Sequence, residues 1–126
     1  MARAFNDCKV LVVEDNPTCQ RFLEVCLHSI GFDVSVASDG EQALAILVAN
    51  SFDLVLLDVQ LPRVNGIEVA RRLRAEGNAV PIIAVTANAF HADHENCLAA
   101  GMDAYLQKPF TLSELLTQIA VATANR

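Results

Sequence analysis

Carboxylates stand in this sequence where apolar runs end. Residues 54–57 form an unbroken apolar run that stops at Asp58, and residues 10–13 form another that stops at Glu14 and Asp15. Ending a buried run in an unpaired charge is costly, so a carboxylate in that position is expected to have a specific role. A carboxylate can act as a nucleophile toward phosphorus and form an acyl phosphate. Asp58 is therefore the candidate for such a nucleophile.

Two further polar residues complete a set that suits phosphoryl transfer. Thr86 ends a third apolar run, and Lys108 follows a fourth. Carboxylates that lie close together repel one another and raise at least one pKa unless a cation neutralises them. Hard oxygen ligands of this kind suit Mg²⁺. Phosphoryl transfer depends mainly on positioning and on charge neutralisation, which a metal ion and a lysine would provide.

The elements that must position these residues alternate between strand and helix. Short apolar or alternating runs predict strands over residues 9–14, 33–37, 54–58, 81–86 and 104–107. Helical patterns fill the segments between and after them, over about 17–29, 41–49, 66–77, 91–100 and from 112 onward. Asn16 and Pro17 supply a cap and a first-turn proline for the first helix, which Gly31 ends.

About five strand-helix units in succession predict an α/β fold. At this length the likeliest form is a doubly wound, five-stranded parallel sheet in the order 2-1-3-4-5, with helices on both faces. Ligands of such sheets bind beyond the carboxyl ends of the strands, where the strand order reverses. The first and third strands flank that point, so Glu14, Asp15 and Asp58 are expected in one crevice, with Thr86 and Lys108 beside them.

Two capping boxes are predicted at helix starts, where a Ser or Thr and a Glu three residues later satisfy each other's backbone donors. The first pairs Ser38 with Glu41, and the second pairs Thr111 with Glu114.

A basic cluster in the third helix is interpreted as a solvated helix face. It comprises Arg71, Arg72 and Arg74.

Length and composition fit one domain over residues 1–126, with 53% apolar and 19% charged residues. No apolar run approaches the roughly 20 residues that cross a bilayer, and the N-terminus lacks the apolar segment of a signal peptide, so a cytoplasmic location is expected. The net charge of -6 argues against binding to nucleic acid or to anionic lipid and is compatible with a cation. The four cysteines show no CxxC spacing, so no zinc site or redox pair is indicated.

Four segments, "VLVVEDNP", "DLVLLDVQLPRVNGIE", "PIIAVTA" and "AGMDAYLQKPF", resemble the receiver domain of bacterial two-component response regulators. The resemblance covers nearly the whole chain and implies a flavodoxin-like fold similar to that of chemotaxis regulators. It implies a phosphoryl-accepting signalling switch rather than a conventional enzyme. Asp58 would take its phosphoryl group from a phosphohistidine on a histidine kinase or a histidine-phosphotransfer protein.

The resemblance also implies roles for the surrounding residues. The implied ligands of Mg²⁺ (or Mn²⁺) are Glu14, Asp15, Asp58 and the backbone carbonyl of Gln60. Thr86 and Lys108 would bind the phosphoryl oxygens, and the Lys108-Pro109 peptide bond would be cis. Tyr105 would turn inward when phosphorylation draws Thr86 toward the phosphoryl group. The output surface would be the face formed by the fourth helix, the fifth strand and the fifth helix.

Gln60 and Asn88 lie two residues beyond Asp58 and Thr86. In the family that the sequence resembles, these positions tune the hydrolysis of the acyl phosphate. We expect them to set its lifetime by shaping the access of the attacking water.

Three other functions remain to be weighed. An aspartate-nucleophile phosphatase of the haloacid dehalogenase type needs a second carboxylate two residues after the nucleophile, where this chain has Gln60. An FMN-binding flavodoxin needs an uncharged phosphate loop after the first strand, where this chain has Glu14 and Asp15. A receiver-like interaction module that is never phosphorylated stays open, as does the choice between a stand-alone receiver and a domain of a longer protein.

Taken singly, each residue also has a plainer explanation. Asp15 or Asn16 could cap the first helix, and Asp58 could be a cap or a turn residue. Thr86 could be an ordinary strand hydroxyl and Lys108 a solvated lysine. Their joint placement at the strand ends favours a site.

Overall fold

Five parallel strands form the centre of the molecule in the order β2-β1-β3-β4-β5, as predicted. The structure, a computed structural model, describes residues 8–61, 64–87 and 91–124, without the side chains of residues 91–94. The strands are β1 (Lys9–Val13), β2 (Asp33–Ala37), β3 (Leu54–Asp58), β4 (Ile82–Thr86) and β5 (Ala104–Gln107). The helices are α1 (Pro17–Ile30), α2 (Gly40–Ala49), α3 (Gly66–Ala75), α4 (His91–Ala99) and α5 (Leu112–Ala124).

Both faces of the central strands are covered, and alternate residues of each strand enter one of two cores. Leu11 and Leu57 belong to the core that includes residues of α2 and α3. Val12 and Leu56 belong to the core that includes residues of α1 and α5. All residues of β3 and β4 are buried, which explains why each strand is continuously apolar up to its last residue. The parallel register pairs Val13 with Leu57 and brings the ends of β1 and β3 to one edge.

The starts of α1 and α5 follow the sequence prediction. The side chain of Asn16 accepts a hydrogen bond from the Cys19 amide at 3.1 Å. The Thr111 amide donates to the Glu114 carboxylate at 3.0 Å, and the Glu114 amide donates to the Thr111 hydroxyl at 3.1 Å. The second capping box is therefore confirmed.

The prediction for the start of α2 was wrong by one residue. Asp39, and not Ser38, caps the helix and accepts from the Gln42 amide at 2.8 Å. The Gln42 side chain in turn accepts from the Ser38 amide at 2.8 Å. The sequence Ser-Asp-Gly-Glu-Gln contains two overlapping cap patterns, and aspartate caps a helix as well as serine does. Gly40 then becomes the first helical residue, packed so closely on Val64 that a Cβ would lie 2.2 Å from the Val64 carbonyl oxygen.

The basic cluster of α3 is not uniformly solvated, so the prediction was wrong for Arg74. Its side chain is only 21% exposed and joins three segments of the chain. Nη1 donates to the carbonyls of Asn78 and Val80 at 2.9 and 2.8 Å. Nη2 donates to the Gly101 carbonyl at 2.8 Å and to the Asp103 carboxylate at 3.1 Å. Arg74 thus ties the end of α3 to the segment before β4 and to the segment between α4 and β5.

No helix in the described part of the chain combines the length and the apolar character that crossing a membrane requires.

Candidate functional site

The structure brings the three candidate acids together at the carboxyl edge of the sheet. Glu14 and Asp15 follow β1, and Asp58 is the last residue of β3. Each of the three offers a carboxylate oxygen, and these oxygens all lie within 4.8 Å of one another. Glu14 and Asp58 are only 1% and 5% exposed, whereas Asp15 is exposed to solvent. Two of the three charges are therefore withdrawn from water on the inner side of the crevice.

The backbone around Asp58 holds its carboxylate in place. The amide of Gln60, in the segment after β3, donates to Asp58 Oδ1 at 2.8 Å. Gly66, the first residue of α3, packs directly against the end of β3, and a Cβ there would lie 2.2 Å from the Asp58 carbonyl oxygen. Asn65 caps α3 by accepting from the Glu68 amide at 3.0 Å, so these two residues begin a helix. Any side chain at Gly66 would displace the backbone that carries Asp58.

Lys108 supplies positive charge from the other side of the crevice. It follows β5, and its amide donates to the Thr86 carbonyl at 2.7 Å. Its Nζ lies 3.2 Å from Asp58 Oδ2 and also pairs with Glu14 Oε1. The Lys108-Pro109 peptide bond is cis, as the resemblance implied. One ammonium therefore faces two buried carboxylates.

The remaining candidates lie around this centre. Thr86 ends β4 and is 1% exposed. The register of β4 with β5 pairs Thr86 with Gln107 and Ala84 with Tyr105. Tyr105 is half-buried and packs against the core that includes α2 and α3. Asn88 lies outside the described residues, so its position relative to Asp58 stays a prediction.

Because Glu14 and Asp58 are buried close together, their pKa values move apart. Burial, helped by the neighbouring Glu14 carboxylate, raises the pKa of Asp58 to about 7, although the Gln60 amide and Lys108 oppose this. Burial also acts to raise the pKa of Glu14, but hydrogen bonds from Asp58, Cys19 and Lys108 outweigh it and lower that pKa to about 2. Without a further cation, Glu14 ionises first, and Asp58 keeps its proton to a higher pH than an ordinary aspartate does.

This donor set fits a divalent cation. Glu14, Asp15 and Asp58 offer hard oxygen ligands at the ends of two neighbouring strands, and the single ammonium of Lys108 cannot neutralise all three charges. Mg²⁺ binds through one or two carboxylates together with waters and phosphate oxygens. The residues present therefore suggest a metal site at this edge of the sheet.

The crowding predicts how stability depends on pH in the metal-free protein. The folded-state pKa of Asp58, about 7, lies above the ordinary value of 3.8, so the wild type should lose stability progressively as pH rises from about 4 to about 7. Asp58→Asn removes this charge and keeps an oxygen that can accept from the Gln60 amide. In EDTA, the stability of the variant relative to the wild type should be about 2 kcal/mol greater at pH 8 than at pH 5. Urea unfolding at both pH values measures the difference, and a relative stability that does not increase from pH 5 to pH 8 would contradict the crowding.

Two residues beside the acids were missed by the sequence analysis. The Gln20 side-chain amide donates to the Glu14 carbonyl oxygen, and the Cys19 thiol hydrogen-bonds to the Glu14 carboxylate. Burial, together with the Glu14 carboxylate, raises the pKa of this thiol to about 12. Neither residue belongs to a motif, and only the packing of α1 against the ends of β1 and β2 brings them to the site. The sequence feature that could have identified them is their position in the first turn of the helix that follows the acidic pair.

Comparisons with known proteins agree with this geometry. Residues 10–120 match the family described as the response regulator receiver domain. The chain is 40% identical over 121 residues to the sensor histidine kinase RcsC of Escherichia coli, which covers 96% of this chain and 13% of that kinase. It is 40% identical over 111 residues to the response regulator ArlR of Staphylococcus saprophyticus, which covers 88% of this chain and 50% of that regulator.

Solved structures show the same fold. The receiver domain of the sensor histidine kinase PA1611 from Pseudomonas aeruginosa has magnesium coordinated in its active site cleft. It superposes with a TM-score of 0.85 at 42% identity, over 93% of this chain and 98% of that one. The chemotaxis protein CheY4 of Vibrio cholerae superposes with a TM-score of 0.86 at 28% identity, over 91% and 98% of the two chains.

The fold and the matches define a signalling domain of two-component systems. The chain belongs to the response regulator receiver domain family. It spans only 13% and 50% of the two curated relatives described above, well under two thirds of their length.

Proposed function

We propose that this domain is a phosphoryl-accepting switch and that Asp58 is its acceptor. The observation that carries the proposal is the position of the Asp58 carboxylate. It is 5% exposed at the end of β3, with two further carboxylates within 4.8 Å and Lys108 Nζ 3.2 Å from Oδ2. A nucleophile for phosphorus needs such an arrangement, because its own charge and that of the incoming group must both be neutralised.

The proposed reaction moves a phosphoryl group from a phosphohistidine to Asp58. An Asp58 carboxylate oxygen attacks phosphorus, a P–O bond forms, and the P–N bond to the donor imidazole breaks. The electron pair of that bond returns to the imidazole, which can take up a proton from solvent. The Asp58 carboxyl must be ionised to attack, so whatever neutralises Glu14 and Asp15 favours the reaction.

A divalent cation, Mg²⁺ or Mn²⁺, supplies that neutralisation when bound. The residues proposed to hold it are Glu14, Asp15, Asp58 and the backbone carbonyl of Gln60. Lys108 is proposed to bind a phosphoryl oxygen from the opposite side, and its present contacts with Glu14 and Asp58 support this role. Thr86 is proposed to bind a further phosphoryl oxygen through its hydroxyl.

Tyr105 is proposed to respond to the movement of Thr86 and to alter the face formed by α4, β5 and α5, where an output partner would bind. The chain contains one Tyr and no Trp, so its intrinsic fluorescence reports on Tyr105 directly. Phosphorylation should change the intensity of this fluorescence in the wild type and leave it unchanged in Thr86→Ala. An equal change in both proteins would argue against the coupling.

Gln60 and Asn88 are proposed to set the lifetime of the acyl phosphate by shaping the access of water to it. Gln60 is exposed and follows Asp58 closely in the chain, which supports such a role. Replacing both residues with other polar residues should change the half-life of dephosphorylation, and an unchanged half-life would contradict this.

The donor is proposed to be a histidine kinase or a histidine-phosphotransfer protein, and the output to pass through protein contact. The matches to a sensor histidine kinase and to a response regulator support this class of partner. The net charge of -6 favours partners other than nucleic acid or membrane lipid. The location is proposed to be cytoplasmic, as the sequence analysis expects. Residues 1–126 are proposed to act as one receiver domain, whether alone or within a longer protein.

Incubation with acetyl phosphate and Mg²⁺, followed by intact-mass measurement, tests the proposed function. The wild type should gain the mass of one phosphoryl group, and the gain should disappear when EDTA replaces Mg²⁺. Unmodified protein in the presence of Mg²⁺ would contradict the proposal and would favour an interaction module that is never phosphorylated.

A further inference from the structure

The loop that carries Glu14 and Asp15 is held at several points. The Glu14 amide donates to the Ala37 carbonyl at 3.0 Å, which fixes the start of the loop against β2. The Asp15 amide donates back to the Glu14 carboxylate at 3.1 Å. The Glu14 carbonyl lies beyond the end of β1 and accepts instead from the side-chain amide of Gln20.

Gln20 connects this loop to a second one. Its Nε2 also lies 3.2 Å from the Ser38 hydroxyl, in the segment between β2 and α2. Its backbone amide donates to the Asn16 carbonyl at 2.9 Å, within the first turn of α1, so its position relative to the acidic loop is set. The side chain is half-buried, which limits competition from water for the Glu14 carbonyl.

We infer that Gln20 is a positioning residue for the metal site, acting through the Glu14 carbonyl. The peptide unit between Glu14 and Asp15 contains this carbonyl and the Asp15 amide. Rotation of that unit would move both carboxylates at once, and the Gln20 amide opposes the rotation. The inference rests on the proposed metal site.

The type of side chain matters for this role. An amide donates a hydrogen bond without adding charge, so Gln20 can fix the loop and leave the negative charge of the three acids for the cation. A lysine at this position would compete with the cation, and a methionine would fill similar space without a donor. Groups that orient the residues binding a metal commonly affect metal affinity although they do not touch the metal.

Titration calorimetry with magnesium chloride on the unphosphorylated protein tests the inference. Gln20→Met should weaken Mg²⁺ binding roughly tenfold. The rate of phosphorylation by acetyl phosphate should fall at low Mg²⁺ and return to within about twofold of the wild type at saturating Mg²⁺. If the role of Gln20 were purely structural, Gln20→Met would lower the free energy of unfolding in EDTA and leave the Mg²⁺ affinity unchanged.

Gln42→Met is the matched control, because the Gln42 side chain also bonds to Ser38, accepting from its amide at 2.8 Å. It should leave Mg²⁺ affinity unchanged. Wild-type affinity in Gln20→Met, or an equal loss in Gln42→Met, would overturn the role assigned to Gln20. Failure of the wild type itself to bind Mg²⁺ would instead overturn the proposed metal site.

Discussion

Replacing Asp58 with asparagine is expected to abolish phosphoryl acceptance, reducing the incorporation rate by at least roughly a hundredfold. The amide keeps the shape of the side chain and can still accept from the Gln60 amide, which donates to Asp58 Oδ1 at 2.8 Å. It cannot act as the nucleophile, because a neutral amide oxygen is a poor nucleophile and does not form a stable acyl phosphate. The measurement is the intact mass after incubation with acetyl phosphate and Mg²⁺, followed over time.

Asp53→Asn is the matched control, because Asp53 precedes the same strand but lies at its opposite end. Its carboxylate accepts from the Lys9 amide at 2.8 Å, far in the fold from the acidic crevice. This variant should gain one phosphoryl group at the wild-type rate. A phosphoryl group on the Asp58→Asn protein would show that another residue is the acceptor, and peptide mapping would identify it.

Arg74→Met is expected to cause a large loss of stability, about 3 kcal/mol. The substitution keeps an apolar stem but removes every hydrogen bond of the guanidinium. The carbonyls of Asn78, Val80 and Gly101 lose a donor, and the Asp103 carboxylate loses its ion pair while only 14% exposed. Because these carbonyls and this carboxylate are partly shielded from solvent, water replaces the lost hydrogen bonds only in part. Urea unfolding measures the change in the free energy of unfolding, from the midpoint and the slope of the transition.

Arg72→Met is the comparison within the same helix. Arg72 pairs with Glu68 at 3.1 Å, but the two side chains are 52% and 42% exposed. An exposed pair of this kind contributes little, so this variant should lose no more than about 0.5 kcal/mol. Equal losses in the two variants would mean that the contacts of Arg74 do not stabilise the fold more than an exposed ion pair does.

The order of strands and helices was predictable because each element carries its own local pattern. Residues 54–57 and 82–85 are apolar throughout, as strands covered on both faces must be. Asn16, Thr111 and Glu114 are recognisable as caps because they act on amides within three residues of themselves. The cap of α2 was misplaced because Ser38 and Asp39 compete locally, and the choice between them depends on contacts with distant parts of the chain.

The difference between local and distant signals also explains which residues could be predicted from the sequence. Asp58, Thr86 and Lys108 could be identified because each follows or ends a predicted strand, and the rules for doubly wound sheets bring strand ends together. Gln20 and, elsewhere in the fold, Arg74 could not, because the role of each depends on hydrogen bonds to backbone carbonyls, which every residue has. No sequence pattern distinguishes the carbonyl of Glu14 or of Gly101 from any other.

The sequence by itself therefore determined the α/β fold class and the residues that meet at the carboxyl edge, since periodicity and strand-end position are local properties, and the strand order followed from the general rule for doubly wound sheets. The tertiary structure decided which arginine is buried, which residue caps α2 and which side chain braces the acidic loop. These outcomes depend on distances between segments far apart in the chain, such as Arg74 to Gly101 at 2.8 Å. Such distances are set only when the helices pack on the sheet.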